Sequence, residues 1–252
     1  MTAGNDADAA AWELRWHPFR GEWVLFTAHR GARPWIGESV PDDEAEVPAD
    51  NALAPGGRRL HTTNPDYRGV YVFTNDLPVF SPEAPAPGSG DDLYRTRRAG
   101  GTAEVVCYHH DPTCSLADLD DDEVTAVVTT WRDRTRALQA LDDVAHVLIF
   151  ENRGAAVGTS NPHPHCQIYA GALVYATMAR EAEVAADHRR RTGRSLLADV
   201  VERELAGPRL LDEGEHFVAC VPWFARYAYE VHVLQRVPVT SLVDLDDDHC
   251  RS

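Results

Sequence analysis

Three polar side chains alternate in one short segment of the chain, His163, His165 and Gln167, within Asn161-Pro162-His163-Pro164-His165-Cys166-Gln167. A spacing of two puts them on one face of an extended segment, and the prolines favour that conformation. Upstream, Gly154, Gly158 and Ser160 mark a loop whose backbone N–H groups can approach a phosphate. The chemistry this suits is phosphoryl or nucleotidyl transfer. A neutral imidazole is a good nucleophile toward phosphorus near pH 7. A leaving group that is itself a phosphate needs no strong general acid, and a phosphate acceptor needs no base. Positioning and charge neutralisation then carry most of the barrier reduction. His165, at the centre of the alternating face, is the candidate nucleophile. Gln167 and Ser160 can each donate to a non-bridging phosphate oxygen. Two rival readings exist. The histidines could bind zinc, which needs two further ligands, or they could be structural. The glycine loop and Gln167 favour transfer chemistry over both.

The elements that must position this face are readable around it. Glu13 to Thr27 predicts a hairpin turning at Pro18-Phe19-Arg20-Gly21. β-branched and aromatic content predicts strands at Val70–Thr74 and Ala103–Tyr108. Apolar strands follow at Val144–Phe150 and Cys166–Ala170, with later strands at Phe217–Val221 and Tyr229–Leu234. Asp118 to Leu141 predicts a long helix, acidic at its start and arginine-rich in its later turns. Thr177 to Leu205 reads as largely helical. Residues 37–66 and 81–92 read as loops rich in Pro, Gly and small residues.

Ser115-Leu-Ala-Asp-Leu-Asp-Asp-Asp122 recurs as Ser241-Leu-Val-Asp-Leu-Asp-Asp-Asp248, with one difference in eight positions. This suggests a duplicated unit whose second copy is incomplete. On that reading residues 1–12 form a flexible tail, 13–205 a first unit and 206–252 the start of a second. The strand at 229–234 would lack a covering helix, and the chain alone would be poorly stable.

The 252 residues carry a formal charge of −16, which argues against a nucleic-acid partner. A nucleotide remains an acceptable ligand, since a pocket needs only a few local cations or N–H groups. All 24 basic residues are Arg, so no lysine can serve as nucleophile or phosphate clamp. No apolar run reaches membrane-helix length, and Met1–Ala11 does not look like a signal peptide. The expectation is a cytoplasmic protein with five reduced cysteines and no C-x-x-C pair.

The histidine segment resembles the active-site signature of galactose-1-phosphate uridylyltransferases, in the histidine-triad superfamily. Further elements match that family: Arg30-Gly-Ala-Arg33-Pro-Trp35, Asn64-Pro-Asp-Tyr67 and Tyr71-Val-Phe-Thr-Asn75-Asp76. The resemblance implies an α+β fold, a histidine-triad-like antiparallel sheet with flanking helices. It implies a UDP-glucose–hexose-1-phosphate uridylyltransferase of galactose metabolism, working by a ping-pong mechanism through a uridylyl-histidine on His165. Gln167 and Ser160 would hold phosphates. Asn75, Asp76, Asn152 and Gly158 would line the nucleotide site, with Asn161 and His163 beside them. Arg30 and Arg33 match arginines that reach the neighbouring subunit's site in the family's dimer. The implied partners are UDP-glucose, a hexose 1-phosphate, and a second copy or a complementing C-terminal chain. Many relatives bind zinc through C-x-x-C, a later histidine and the first histidine of H-P-H. Here Asn51, Ala54 and Pro112 replace three of those ligands and only His163 remains, so no cofactor is expected. A glutamate of a second family metal site is matched by Glu181. The alternatives are a degenerate member that binds nucleotide without full turnover, or a phosphorylase using the same histidine.

Overall fold

The computed structural model describes residues 12–27, 50–154, 157, 159 and 161–252. In chain order the strands are β1 (Trp12–His17), β2 (Glu22–Thr27), β3 (Tyr71–Thr74), β4 (Gly101–Cys107), β5 (His146–Phe150), β6 (His165–Gly171), β7 (Leu210–Glu213), β8 (Phe217–Cys220) and β9 (His232–Gln235). The α-helices are α1 (Asp121–Gln139), α2 (Ala176–Thr192), α3 (Leu196–Leu205) and α4 (Asp247–Arg251). The mixture of helices with antiparallel sheets is the expected α+β class.

The chain divides into two compact units, cut differently from the 205/206 boundary expected from the sequence. One comprises Pro41–Val174 with Ser241–Arg251, and the other Met1–Val40, Tyr175–Thr240 and Ser252.

The first of these units is built on a four-stranded antiparallel sheet of order β3-β4-β6-β5. β6 is central, with Cys107 of β4 opposite His165 and both Val105 of β4 and Phe150 of β5 opposite Gln167. One sheet face buries Val106, Cys166, Ile168 and Ala170 against Val127, Leu138 and the partly buried Trp131 of α1. The amphipathic spacing read in the sequence produces this contact. α1 starts at a capping box: Asp120 Oδ1 accepts from Glu123 N at 2.9 Å and Glu123 Oε2 accepts from Asp120 N at 3.0 Å. Arg134 of α1 reaches through this layer to Glu104 of β4 with two bonds of 2.8 and 2.6 Å. Gly101 opens β4 at φ +130°, where a Cβ would stand 2.1 Å from the Ala170 carbonyl oxygen.

The sequence repeat is a structural repeat of local kind. Both copies make a 3-10 turn, Leu116–Asp118 and Leu242–Asp244, closed by a Ser/Asp capping box. The second copy opens α4, which packs on α1: Arg132 of α1 bonds Asp247 at 2.7 Å, and Leu245 and Cys250 are buried.

In the other unit, β1 and β2 form the expected hairpin, with Gly21 at φ +63° in its turn. Its polarity is inverted. Arg15 and His17 are each 3% exposed, while Trp12, Leu14, Trp23 and Leu25 on the opposite face are 74, 58, 64 and 66% exposed. The helical stretch expected over 177–205 breaks at Gly193, which adopts φ +73° and separates α2 from α3. β7, β8 and β9 form an antiparallel sheet of three strands. Contrary to the sequence expectation, β9 does have a covering helix on one face: Leu234 packs with Phe224 and with Leu196 and Val200 of α3. Glu181 of α2 lies 3.8 Å from Arg20, and burial raises its carboxyl pKa.

Cys107, Cys166, Cys220 and Cys250 are buried free thiols and Cys114 is half-buried. Among the described residues no helix is long and apolar enough to cross a membrane.

Candidate active site

His165 and Gln167 share one face of β6, as their spacing requires, and both line a cavity of about 1060 Å³. Its wall is the loop 50–60, then Phe73, Asn75, Asp76 and Leu77 at the end of β3, with Val105 and Asn161. This volume suits a nucleotide-sized ligand. The expected site residues His165, Gln167, Asn75, Asp76 and Asn161 are therefore brought together.

The tautomer of His165 is fixed by the backbone. His165 Nδ1 lies 2.6 Å from the His163 carbonyl oxygen. A carbonyl can only accept, so Nδ1 carries the proton, and a neutral ring then keeps its lone pair on Nε2. Gln167 Oε1 accepts from the Tyr169 hydroxyl at 3.2 Å, which leaves its amide nitrogen as the donor for a ligand.

His163 is placed otherwise than the alternation suggests. It precedes β6, is 1% exposed and is not among the residues lining the cavity. Its Nε2 lies 2.9 Å from both Tyr67 Oη and the His109 carbonyl oxygen. Tyr67 Oη lies 2.5 Å from the Leu53 carbonyl oxygen, which must receive the phenol proton. His163 Nε2–H is therefore the donor to both of its neighbours, and Nδ1 is bare. Among the described residues Nδ1 is buried without a partner. Burial lowers the pKa of this imidazole to about 4, so the ring is neutral at pH 7.

Asp76 Oδ2 accepts from Leu60 N at 3.0 Å and Oδ1 stands 3.5 Å from Arg59. Asn75 Oδ1 accepts from Leu77 N at 3.0 Å. Asn161 uses both ends of its amide within the protein: Nδ2 donates to Asn51 Oδ1 and Oδ1 accepts from His163 N, each at 2.9 Å. Asn152 is exposed in the loop after β5; its carbonyl accepts from the Thr159 hydroxyl at 2.6 Å, and it does not line the cavity. Arg30, Arg33, Gly158 and Ser160 lie outside the described residues.

Arg59 was not foreseen. Its guanidinium sits 3.8 Å from the centroid of the Phe73 ring, beside Asp76, and supplies a cation to the cavity wall. The signal was present as Gly56-Gly57-Arg58-Arg59, a cationic pair after flexible residues, but it lay in a segment without periodicity.

The residues at the implied zinc positions do not fit a closed zinc site. Ala54 and Pro112 offer no side-chain donor, and Asn51 Oδ1 is already taken by Leu53 N and Asn161 Nδ2, each at 2.9 Å.

Residues 4–174 match the family described as galactose-1-phosphate uridyl transferase, N-terminal domain. The chain belongs to this family. It is 37% identical to the galactose-1-phosphate uridylyltransferase of Haemophilus influenzae, over 94% of this chain and 69% of that protein. It is 36% identical to the Rattus norvegicus protein of the same name, over 92% of this chain and 62% of that one. The chain thus spans about two thirds of the length of these relatives. Among solved structures, a uridylyltransferase superposes with a TM-score of 0.73 at 26% identity, over 95% of this chain and 71% of that one. An ADP-glucose phosphorylase from Arabidopsis thaliana shares the fold with a TM-score of 0.74 at 23% identity, over 96% of this chain and 73% of that one.

Proposed function

We propose that this chain carries the nucleotidyl-accepting centre of a UDP-glucose–hexose-1-phosphate uridylyltransferase, with His165 as nucleophile. The observation that carries the reading is the 2.6 Å contact from His165 Nδ1 to the His163 carbonyl, which leaves Nε2 unprotonated on a ring that lines the cavity. Nε2 attacks the α-phosphorus of UDP-glucose. A P–N bond forms, the bridging P–O bond breaks, and glucose 1-phosphate leaves as an anion with no proton required. The modified ring becomes cationic, and its Nδ1–H, already pointing at a carbonyl dipole, is stabilised where charge develops. A phosphate oxygen of the hexose 1-phosphate then attacks the same phosphorus and releases the imidazole neutral. Gln167 donates to the phosphoryl oxygens from its amide nitrogen. Asn75 and Asp76, held by the Leu77 and Leu60 amides, meet the nucleoside. Arg59 offsets phosphate charge in a protein of net charge −16.

A second copy, or a complementing chain, is part of this proposal. The exposed Trp12, Leu14, Trp23 and Leu25 form a contiguous apolar hairpin face of the kind subunit contacts cover. The reaction is cytoplasmic on this reading.

The test is transfer of label. The protein is incubated with UDP-glucose labelled in the uridylyl group, quenched in alkali and mapped. The reading expects label on one histidine peptide, lost in His165→Ala. Label retained at the native level in that variant, or none on the native chain with a partner supplied, would overturn it.

A further inference from the structure

We propose that Asn161, Asn51 and Tyr67 are positioning residues: a metal-free hydrogen-bonded clasp that holds the His163 carbonyl against His165 Nδ1 and so keeps Nε2 bare. The inference rests on the reading of His165 given above.

The atom that sets the His165 tautomer is a backbone carbonyl in a segment poor in anchors. Pro162 and Pro164 have no N–H, so the His163 amide is the sole backbone donor between them. That amide is taken by Asn161 Oδ1 at 2.9 Å. From there the bonds run in a closed circuit. Asn161 Nδ2 donates to Asn51 Oδ1, and Leu53 N donates to the same oxygen, each at 2.9 Å. The Leu53 carbonyl accepts the Tyr67 phenol at 2.5 Å, and Tyr67 Oη accepts from His163 Nε2 at 2.9 Å. His163 is thereby gripped at its amide and at its ring, leaving its carbonyl free to face His165. Asn51, Asn64 and His163 are 5, 4 and 1% exposed, which shields their ends of these bonds from water, while Asn161 is half-buried at the cavity wall. Asn64 Nδ2 stiffens the loop by donating to the Ala52 and Ala54 carbonyls at 2.9 and 3.0 Å.

The circuit includes two of the four residues at the implied zinc positions, Asn51 and His163. A metal bound by the loop and by His163 would tie the same two segments together. Here Ala54 and Pro112 contribute no ligand atom, and the tie is made by amides and a phenol. Loop, strand and nucleophile are still coupled, without a metal.

The readout is the ring tautomer of His165, seen by long-range 1H–15N correlation on the full chain with 15N-labelled histidine. A merely structural role would not move it. The native protein is expected to show protonated Nδ1 and bare Nε2 at His165. Asn161→Leu removes both bonds of that side chain at similar volume, and Tyr67→Phe opens the circuit at the phenol. Each is expected to move His165 toward a tautomer mixture. Each should also slow uridylyl-histidine formation about five- to tenfold, the effect of roughly one net hydrogen bond. Asn51→Asp retains the acceptor for Leu53 N and Asn161 Nδ2 and should keep the native tautomer. If Asn161→Leu does not fold, Tyr67→Phe decides. A native His165 spectrum in the folded variants, or about one zinc per chain whose removal shifts His163, would overturn the clasp. A native protein with Nε2–H at His165 would instead overturn the reading of His165 itself.

Discussion

Arg134 offers the sharpest test of how the sheet that carries the site is held. It lies on α1 and pairs with Glu104 of β4 through two bonds of 2.8 and 2.6 Å. The Glu104 side chain is 8% exposed and that of Arg134 35%. β4 is the neighbour of β6, so the strand pinned by this pair is the one opposite His165 and Gln167. In Arg134→Leu the carboxylate stays buried after losing its charged partner. Breaking a buried pair on one side costs about 3–5 kcal/mol. Arg134 itself is a third exposed, so water enters its place and the lower end applies, about 3 kcal/mol. For a chain of this length that lowers Tm by roughly 6–12 °C, at about 2–4 °C per kcal/mol. The double variant Glu104→Leu/Arg134→Leu replaces the pair by apolar volume and should recover most of the loss. Urea unfolding followed by circular dichroism measures all three proteins. A loss below about 1 kcal/mol in Arg134→Leu, or a double variant worse than the single, would refute the reasoning.

Three further outcomes are expected. His163 is neutral when folded, with its pKa lowered to about 4 from 6.5. The unfolded chain therefore takes up the proton first, and stability is full above pH 6.5 and falls by about 3 kcal/mol as the pH drops to 4; His163→Gln should flatten this part of the urea-midpoint profile. Gly101→Ala forces a Cβ to 2.1 Å from the Ala170 oxygen at φ +130°, and should cost about 2–5 kcal/mol in equilibrium unfolding, whereas Gly56→Ala, with open space around it, costs less. Prolonged treatment with a strong chelator should leave Tm unchanged within error, because the clasp needs no metal; a drop of several degrees that zinc restores would contradict this.

The sheet around the site was legible because its strands are short β-branched and aromatic runs, and α1 because acid, arginine and apolar spacing agree over 19 residues. His165 and Gln167 were legible because a period of two fixes a face without knowledge of the fold. His163 was not, since it falls just before β6, where the period no longer governs direction and burial by Tyr67 and His109 decides. Loop residues Asn51 and Arg59 gain their roles from partners 110 and 14 to 17 positions away, Asn161 for one and Phe73 and Asp76 for the other, and no local pattern reports such pairs. The hairpin was legible as a hairpin but not in polarity. Both faces of β1 and β2 carry large residues, and only the tertiary bonds of Arg15, to the Trp223 carbonyl at 3.1 Å among them, show which face is inside. β7 escaped because Leu210–Glu213 is half acidic and bears a bulge. The repeat suggested a duplicated unit, but what the two copies share is local, a Ser/Asp box closing a 3-10 turn before a helix, and what the second helix packs against could not be read from it.

The central claim is that Nε2 of His165 attacks phosphorus while Nδ1 stays bonded to the His163 carbonyl. It is tested most directly by the nitrogen that carries the phosphorus in the trapped intermediate. The protein is labelled with 15N in its histidine rings, loaded with UDP-glucose in the presence of any required partner, and examined by 31P–15N correlation. The account predicts phosphorus bonded to Nε2 of His165, with Nδ1 still protonated. Phosphorus on Nδ1 of His165, or on His163 or any other residue, would contradict it.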